Sequence, residues 1–185
     1  MKNKIMGFFF GLRFLFIQAG VRWKDPLMTR DVERWCQVTG RTGSVKKSLP
    51  DLLWTYPEFR SLFIYRNQFR PVYKRWVGLI YPPLSTLYIQ AGHIGGGLYI
   101  QHGFSTMITA RSIGEDCWIN QQVTIGYRGQ GDAPVIGNNV MITCGAKVLG
   151  EITVGDNAVI GANAVVIHDV EENAVMGGVP ARRLK

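Results

Sequence analysis

At 185 residues the chain has room for one domain with a long extension, or for two small ones, and it can bury a core without disulfide support. Its three cysteines, Cys36, Cys117 and Cys144, are odd in number and form no CxxC pair, which argues against a secreted disulfide framework and for a reducing, cytoplasmic setting. The formal net charge of +8 is unevenly divided: residues 1–85 hold 15 Lys/Arg against 5 Asp/Glu, and residues 86–185 hold 6 against 8.

The front half also carries 16 of the 21 aromatic residues. Such a basic, aromatic region is expected to meet an anionic partner, and with no nucleic-acid motif beside it, membrane lipid suits it better than nucleic acid. Residues 5–17, IMGFFFGLRFLFI, follow Lys2 and Lys4 and are interrupted by Arg13. The run is shorter than the roughly 20 residues a membrane span takes. Arg13 breaks its apolar character and no small-x-small site follows, unlike a secretory signal. Three readings stay open, in descending order: a buried or subunit-contact helix, a helix lying in a membrane interface, and a true signal.

Short helices are expected next. Thr29 or Asp31 can cap a helix through Val38 with Gly40 at its end. Ser48-Leu-Pro-Asp51 reads as a capping box that opens LPDLLWTY. Pro57 can open EFRSLFIYRNQF, with Phe59, Leu62, Phe63 and Phe69 on one face, before Pro71. Pro82-Pro83 marks the boundary of a helical region, 1–85, expected to cap the domain that follows. No catalytic constellation falls in this half.

From Ile113 to Val170 an aliphatic residue recurs at every sixth position. One register holds Ile113, Ile119 and Ile125, then Ile136, Ile142, Val148, Val154, Ile160 and Val166. The position four later is usually small or aliphatic: Cys117, Val123, Val140, Ala146, Ile152, Ala158, Ala164 and Val170. This period fits neither a helix nor a simple strand, and sustained short repeats signal a β-helix with Gly, Asn and Asp at its corners. The repeats start raggedly through Tyr88, Ile94, Ile100 and Met107, and break between Ile125 and Ile136 at YRGQGDAP, a loop expected to project.

Four segments resemble one family in order: IGGGLYIQHG (94–103), INQQVTIG (119–126), CGAKVLGEITVGDNAVIGANAVV (144–166) and GGVPAR (177–182). They are similar to the hexapeptide-repeat acyltransferases, most of all to the serine acetyltransferase branch. The resemblance implies a mainly β fold over 86–185, a left-handed parallel β-helix of hexapeptide repeats, preceded by the α-helical region. It also implies a homotrimer or dimer of trimers, with acetyl-CoA as co-substrate lying between neighbouring β-helices. His102 matches the family's catalytic histidine, and an imidazole suits removal of a hydroxyl proton during attack on a thioester. Cys144, Gly145, Gly161 and Ala162 match the groove for the pantetheine arm. His168, Arg182 and Lys185 match positions near the nucleotide end, where cations suit phosphate.

Gln121 is expected one coil from His102, where it can orient an acceptor or join a corner hydrogen-bond ladder. The departures concern the acceptor. Gln101 stands where serine acetyltransferases have an acidic residue, the acidic partner expected upstream is absent from LYIQAG (87–92), and Asp132-Ala133-Pro134 replaces Arg-His-Pro in a shorter loop. Losing those charges points to a saccharide hydroxyl, as in surface polysaccharide synthesis, with Gln101, Gln121, Tyr127 and Arg128 as acceptor-binding candidates. The alternative is serine O-acetylation. A non-catalytic scaffold or a γ-carbonic anhydrase-like metal protein ranks below both, since His93, His102 and His168 lie in unlike positions; no metal is expected. The setting expected is cytoplasmic, with peripheral contact at the inner face of the membrane.

Overall fold

The computed structural model describes residues 12–185, and the chain divides into two compact units, Met1–Leu84 and Ser85–Lys185. Of the apolar run 5–17, only its last six residues fall among those described.

The first unit holds α1 (residues 12–18), α2 (Pro26–Thr39), α3 (Val45–Thr55), α4 (Pro57–Arg66) and α5 (Pro71–Ile80). Helices α2, α4 and α5 open on proline, whose fixed φ suits the first turn and whose missing N–H has no partner there anyway. That makes α2 start before Thr29 or Asp31: the Asp25 carboxylate caps it, accepting from the N–H groups of Leu27 at 3.0 Å and Met28 at 3.4 Å. Asp31 is instead buried in a paired contact with Arg66, at 2.7 and 3.0 Å. Gly40 closes α2 at φ 67°, as its position suggests.

Helix α3 begins at Val45, not at the Ser48 box, and runs through Pro50. The proline removes one backbone bond, while Leu49, Leu52 and Leu53 become fully buried, which outweighs it. Arg60 caps the end of α3 by donating to the carbonyls of Leu53, at 2.6 Å, and Trp54. Phe59, Leu62 and Phe63 enter the core around Trp35, but Phe69 lies past the end of α4 and is 88% exposed. Pro71, read as a stop, opens α5 instead.

The second unit is a parallel β-helix of about five coils with three sheets. Its first sheet stacks β1 (Leu87–Ile89), β4 (Thr106–Ile108), β7 (Thr124–Gly126), β10 (Lys147–Leu149) and β13 (Val165–Val166). The second stacks β2 (His93–Ile94), β5 (Ser112–Ile113), β8 (Val135–Ile136) and β11 (Thr153–Val154). The third stacks β3 (Tyr99–Ile100), β6 (Trp118–Ile119), β9 (Met141–Ile142), β12 (Val159–Ile160) and β14 (Val175–Gly177), with β15 (Arg182–Arg183) antiparallel at its edge.

Each six-residue repeat is one strand and one corner. The recurring aliphatics meet in buried columns such as Ile100–Ile119–Ile142–Ile160. The small partners, Cys117, Val140 and Ala158 among them, fill the corners. Asn139, Asn157 and Asn173 adopt left-handed backbone between the second and third sheets, and their side chains form a ladder with bonds of 2.9 and 3.2 Å. The ragged start differs from the expected register. Tyr88 and Met107 face outward and are about half exposed, while Ile89 and Ile108 stack beneath Ile125. The inward step is five residues from Ile89 to Ile94 and from Ile108 to Ile113, while the distorted corner after Ile100 lengthens the step to Ile108 to eight.

Candidate active site

The chain turns from the third sheet to the first at what we call the front corner. Pairing of Ile100, Ile119, Ile142 and Ile160 fixes which residues share it. Two residues beyond each comes His102, Gln121, Cys144 and Ala162, one per coil, in a line about 14 Å long at the usual strand spacing. Backbone bonds lace the line: Gly145 N–H donates to Gln121 at 3.1 Å, and Asn163 N–H to Cys144 at 2.9 Å. The structure therefore brings Gln121, Cys144, Gly145, Gly161 and Ala162 into one column with His102.

His102 sits on the distorted corner. Its own φ is 61°, with Gly103 at 26° and Ser105 at 52°, whereas the next three coils need one left-handed residue each: Gln122, Gly145 and Asn163. The Phe104 N–H folds back onto the His102 carbonyl. The imidazole is exposed and, among the described residues, makes no hydrogen bond. Beside it, Gln101 is held by the Trp118 indole, whose N–H donates to Gln101 Oε1 at 3.2 Å. Trp118 is in turn packed edge-on against Tyr99 at 4.7 Å. Sequence reasoning missed Trp118; its outward place in β6, in register with Tyr99, was the available signal.

On the next coil, Asn120 Oδ1 and Gln121 Oε1 are buried with no donor in reach. Unpaired buried acceptors are costly, and both lie on the coil next to His102. The glycines keep this edge close-fitting. A Cβ on Gly145 would stand 2.0 Å from Asn163 Oδ1, and one on Gly161 would stand 2.9 Å from the Met176 carbonyl. Along the same edge the Lys147 ammonium donates to the Gln122 carbonyl at 2.7 Å. The column ends at the turn 178–181, after which Arg182 opens β15, exposed and paired through its backbone with Gly177. Lys185 lies further on, its carbonyl accepting from Val175 at 3.1 Å.

Other candidates lie elsewhere. Tyr127 and Arg128 open the loop 127–134 at the rear corner, between the first and second sheets, and both are exposed. Arg111 braces that loop through Asp132 at 3.5 Å. His168 occupies the rear corner too, and His93 faces outward on the second sheet. Within one chain these four are not brought to His102, and the two irregularities of the repeat stand at different corners. Among the described residues no group of three His, Cys, Asp or Glu side chains converges.

Residues 133–168 match the family model described as Bacterial transferase hexapeptide (six repeats). A serine acetyltransferase of Helicobacter pylori strain J99 is 37% identical over 146 residues, covering 72% of this chain and 85% of that protein. This chain belongs to the serine acetyltransferase family. The serine acetyltransferase of Synechococcus elongatus is 36% identical over 143 residues, covering 71% of this chain but only 59% of that relative's length. Among solved structures, a truncated serine acetyltransferase apoenzyme superimposes with a TM-score of 0.66 at 27% identity, over 85% of this chain and 69% of that one. A Brucella abortus serine acetyltransferase in complex with Coenzyme A gives 0.67 at 24% identity, over 92% and 70%, a likeness of fold. The family model spans the rear loop's end and the coils carrying Cys144 and Ala162; His102 lies outside its match.

Proposed function

We propose that this chain transfers the acetyl group of acetyl-CoA to the hydroxyl of serine, with His102 as general base. The observation that carries the reading is the front corner: His102 on its distorted turn, which takes three left-handed residues, in line with small residues one per coil. It occurs in a chain 37% identical to a serine acetyltransferase. In the step inferred, His102 takes the hydroxyl proton as the oxygen attacks the thioester carbonyl carbon. The tetrahedral intermediate then collapses, the carbon–sulfur bond breaks, and the imidazolium returns its proton to the departing thiolate.

The pantetheine arm would lie along Cys144, Gly145, Gly161 and Ala162, whose small side chains leave the edge open. Arg182 and Lys185 would meet phosphate at its far end. The missing charges point from sequence to a saccharide; the family comparisons give that acceptor no support, and serine replaces it here.

Tyr127, Arg128 and His168 suit a trimer, in which the rear corner of one chain meets the front corner of the next. The setting proposed is the cytoplasm, with the basic helical unit able to meet the inner face of the membrane. Thiol release from acetyl-CoA, measured with L-serine and with a panel of glycans, tests the reading. Turnover with serine should drop at least 100-fold in His102→Ala. Selective transfer to a glycan, with serine inert, would sink serine as acceptor.

A further inference from the structure

Helices α1 and α5 lie antiparallel, as four bonds between them and the loop after α1 show. Arg13 donates to the Ile80 carbonyl at 2.6 Å, Trp76 to Phe16 at 2.9 Å, Tyr73 to Ile17 at 2.9 Å and Arg70 to Gly20 at 2.7 Å. Their inner faces bury Phe14, Ile17 and Val77. Their outer faces are apolar as well. On α1, Leu15 and Phe16 are 56% and 59% exposed; on α5, Val72 and Leu79 are 84% and 68% exposed, with Trp76 half exposed between them. Helical spacing puts Val72, Trp76 and Leu79 on one side of α5, and the Trp76–Phe16 bond joins that side to α1. Scattered exposed hydrophobes are ordinary, but a continuous strip over two helices marks a contact surface.

Charge selects the occupant. The two helices carry Arg13, Lys74 and Arg75 and no Asp or Glu, and Lys2 and Lys4 precede them in the chain. Lys74 and Arg75 are exposed on α5 itself. A second copy of the same face would bring like charges together, whereas an anionic lipid surface offers negative headgroups above an apolar layer. No helix among the described residues is long and apolar enough to cross a membrane. We propose that the α1–α5 face docks on anionic bilayers, its aliphatic and aromatic side chains entering the interface and its cations meeting the headgroups. Neither the serine reading nor its chemistry enters this inference.

The test is flotation of the full-length chain with vesicles of phosphatidylcholine alone, or with about one-third phosphatidylglycerol, at low salt and at about 0.5 M salt. Recovery with the anionic vesicles at low salt is expected, with release at high salt. Val72→Asp and Leu79→Asp should each lower binding at least about tenfold, and Lys74→Ala with Arg75→Ala by a similar factor. Circular dichroism confirms that each variant is folded; should an aspartate variant unfold, the double alanine variant decides. A chain that stays unbound at low salt overturns the proposal. So does undiminished binding of folded Val72→Asp and Leu79→Asp, or a fall in their mass by light scattering, which would make the face a contact between copies.

Discussion

His102 holds a backbone conformation that costs an L-residue roughly 1–2 kcal/mol, and Gly is the residue that relieves it. His102→Gly should therefore abolish acetyl transfer while raising the melting temperature by a few degrees, a combination that calorimetry and a thiol-release assay together can check. His102→Asn tolerates the same φ but lacks the base, and should be inactive without the gain. Trp118→Phe keeps the ring and removes the donor to Gln101. If Gln101 contacts the acceptor, KM for the acceptor should rise several-fold while KM for acetyl-CoA stays put; equal changes in both would deny Gln101 that role. His102 was legible in the sequence through its flanking segment. Gln121 was legible too as its neighbour one coil on, but the orphaned oxygens of Asn120 and Gln121 were not, because they are a property of packing and the motif around them reads the same whether or not a donor is near.

Among the coils, the aliphatic period is a direct record of inward-facing columns, so Ile142→Ala, in the middle of its column, should cost about 2–5 kcal/mol in a denaturant melt. The period was readable wherever coils are regular. It misled at Tyr88 and Met107, since inward steps of five and eight residues replace six around them and sequence spacing alone does not say which neighbour faces in. Corner glycines carry a second constraint. Gly145→Ala combines a left-handed φ of 73° with a clash against Asn163, and should lower stability and weaken binding of CoA measured by calorimetry. Helices were read less well than coils. Pro26 and Pro71 were available as start signals, yet proline marks stops as readily as starts, and only the chain's return onto α1 makes α5 a helix.

For the molecule as a whole, alkali should weaken both units. Burial pushes the Cys117 thiol up from its ordinary 9.0 to about 11, and the Tyr73 hydroxyl from 10.0 to about 12. The unfolded chain releases these protons first, so it binds fewer than the folded one in that range, and stability must fall as pH rises from about 9 towards 12. Urea midpoints measured across that range should decline steadily, and Cys117→Ala should flatten the lower part of the slope. The division into a basic front and a nearly neutral repeat region was visible in composition alone. The apolar strip on α1 and α5 was not, because it joins residues on opposite ends of the front unit.

The reversed strand β15 has a wider effect. A stack of parallel coils presents, at its last strand, the same hydrogen-bonding edge that each coil offers the next, and nothing in the repeat itself says where to stop. On the third sheet that edge is taken by a strand running the other way, carrying Arg182 and Arg183. An incoming coil would find the wrong polarity, the Arg182 cation, and Arg183 paired with Glu171. Growth along the axis through that sheet is therefore disfavoured, and the repeat is closed by its own chain.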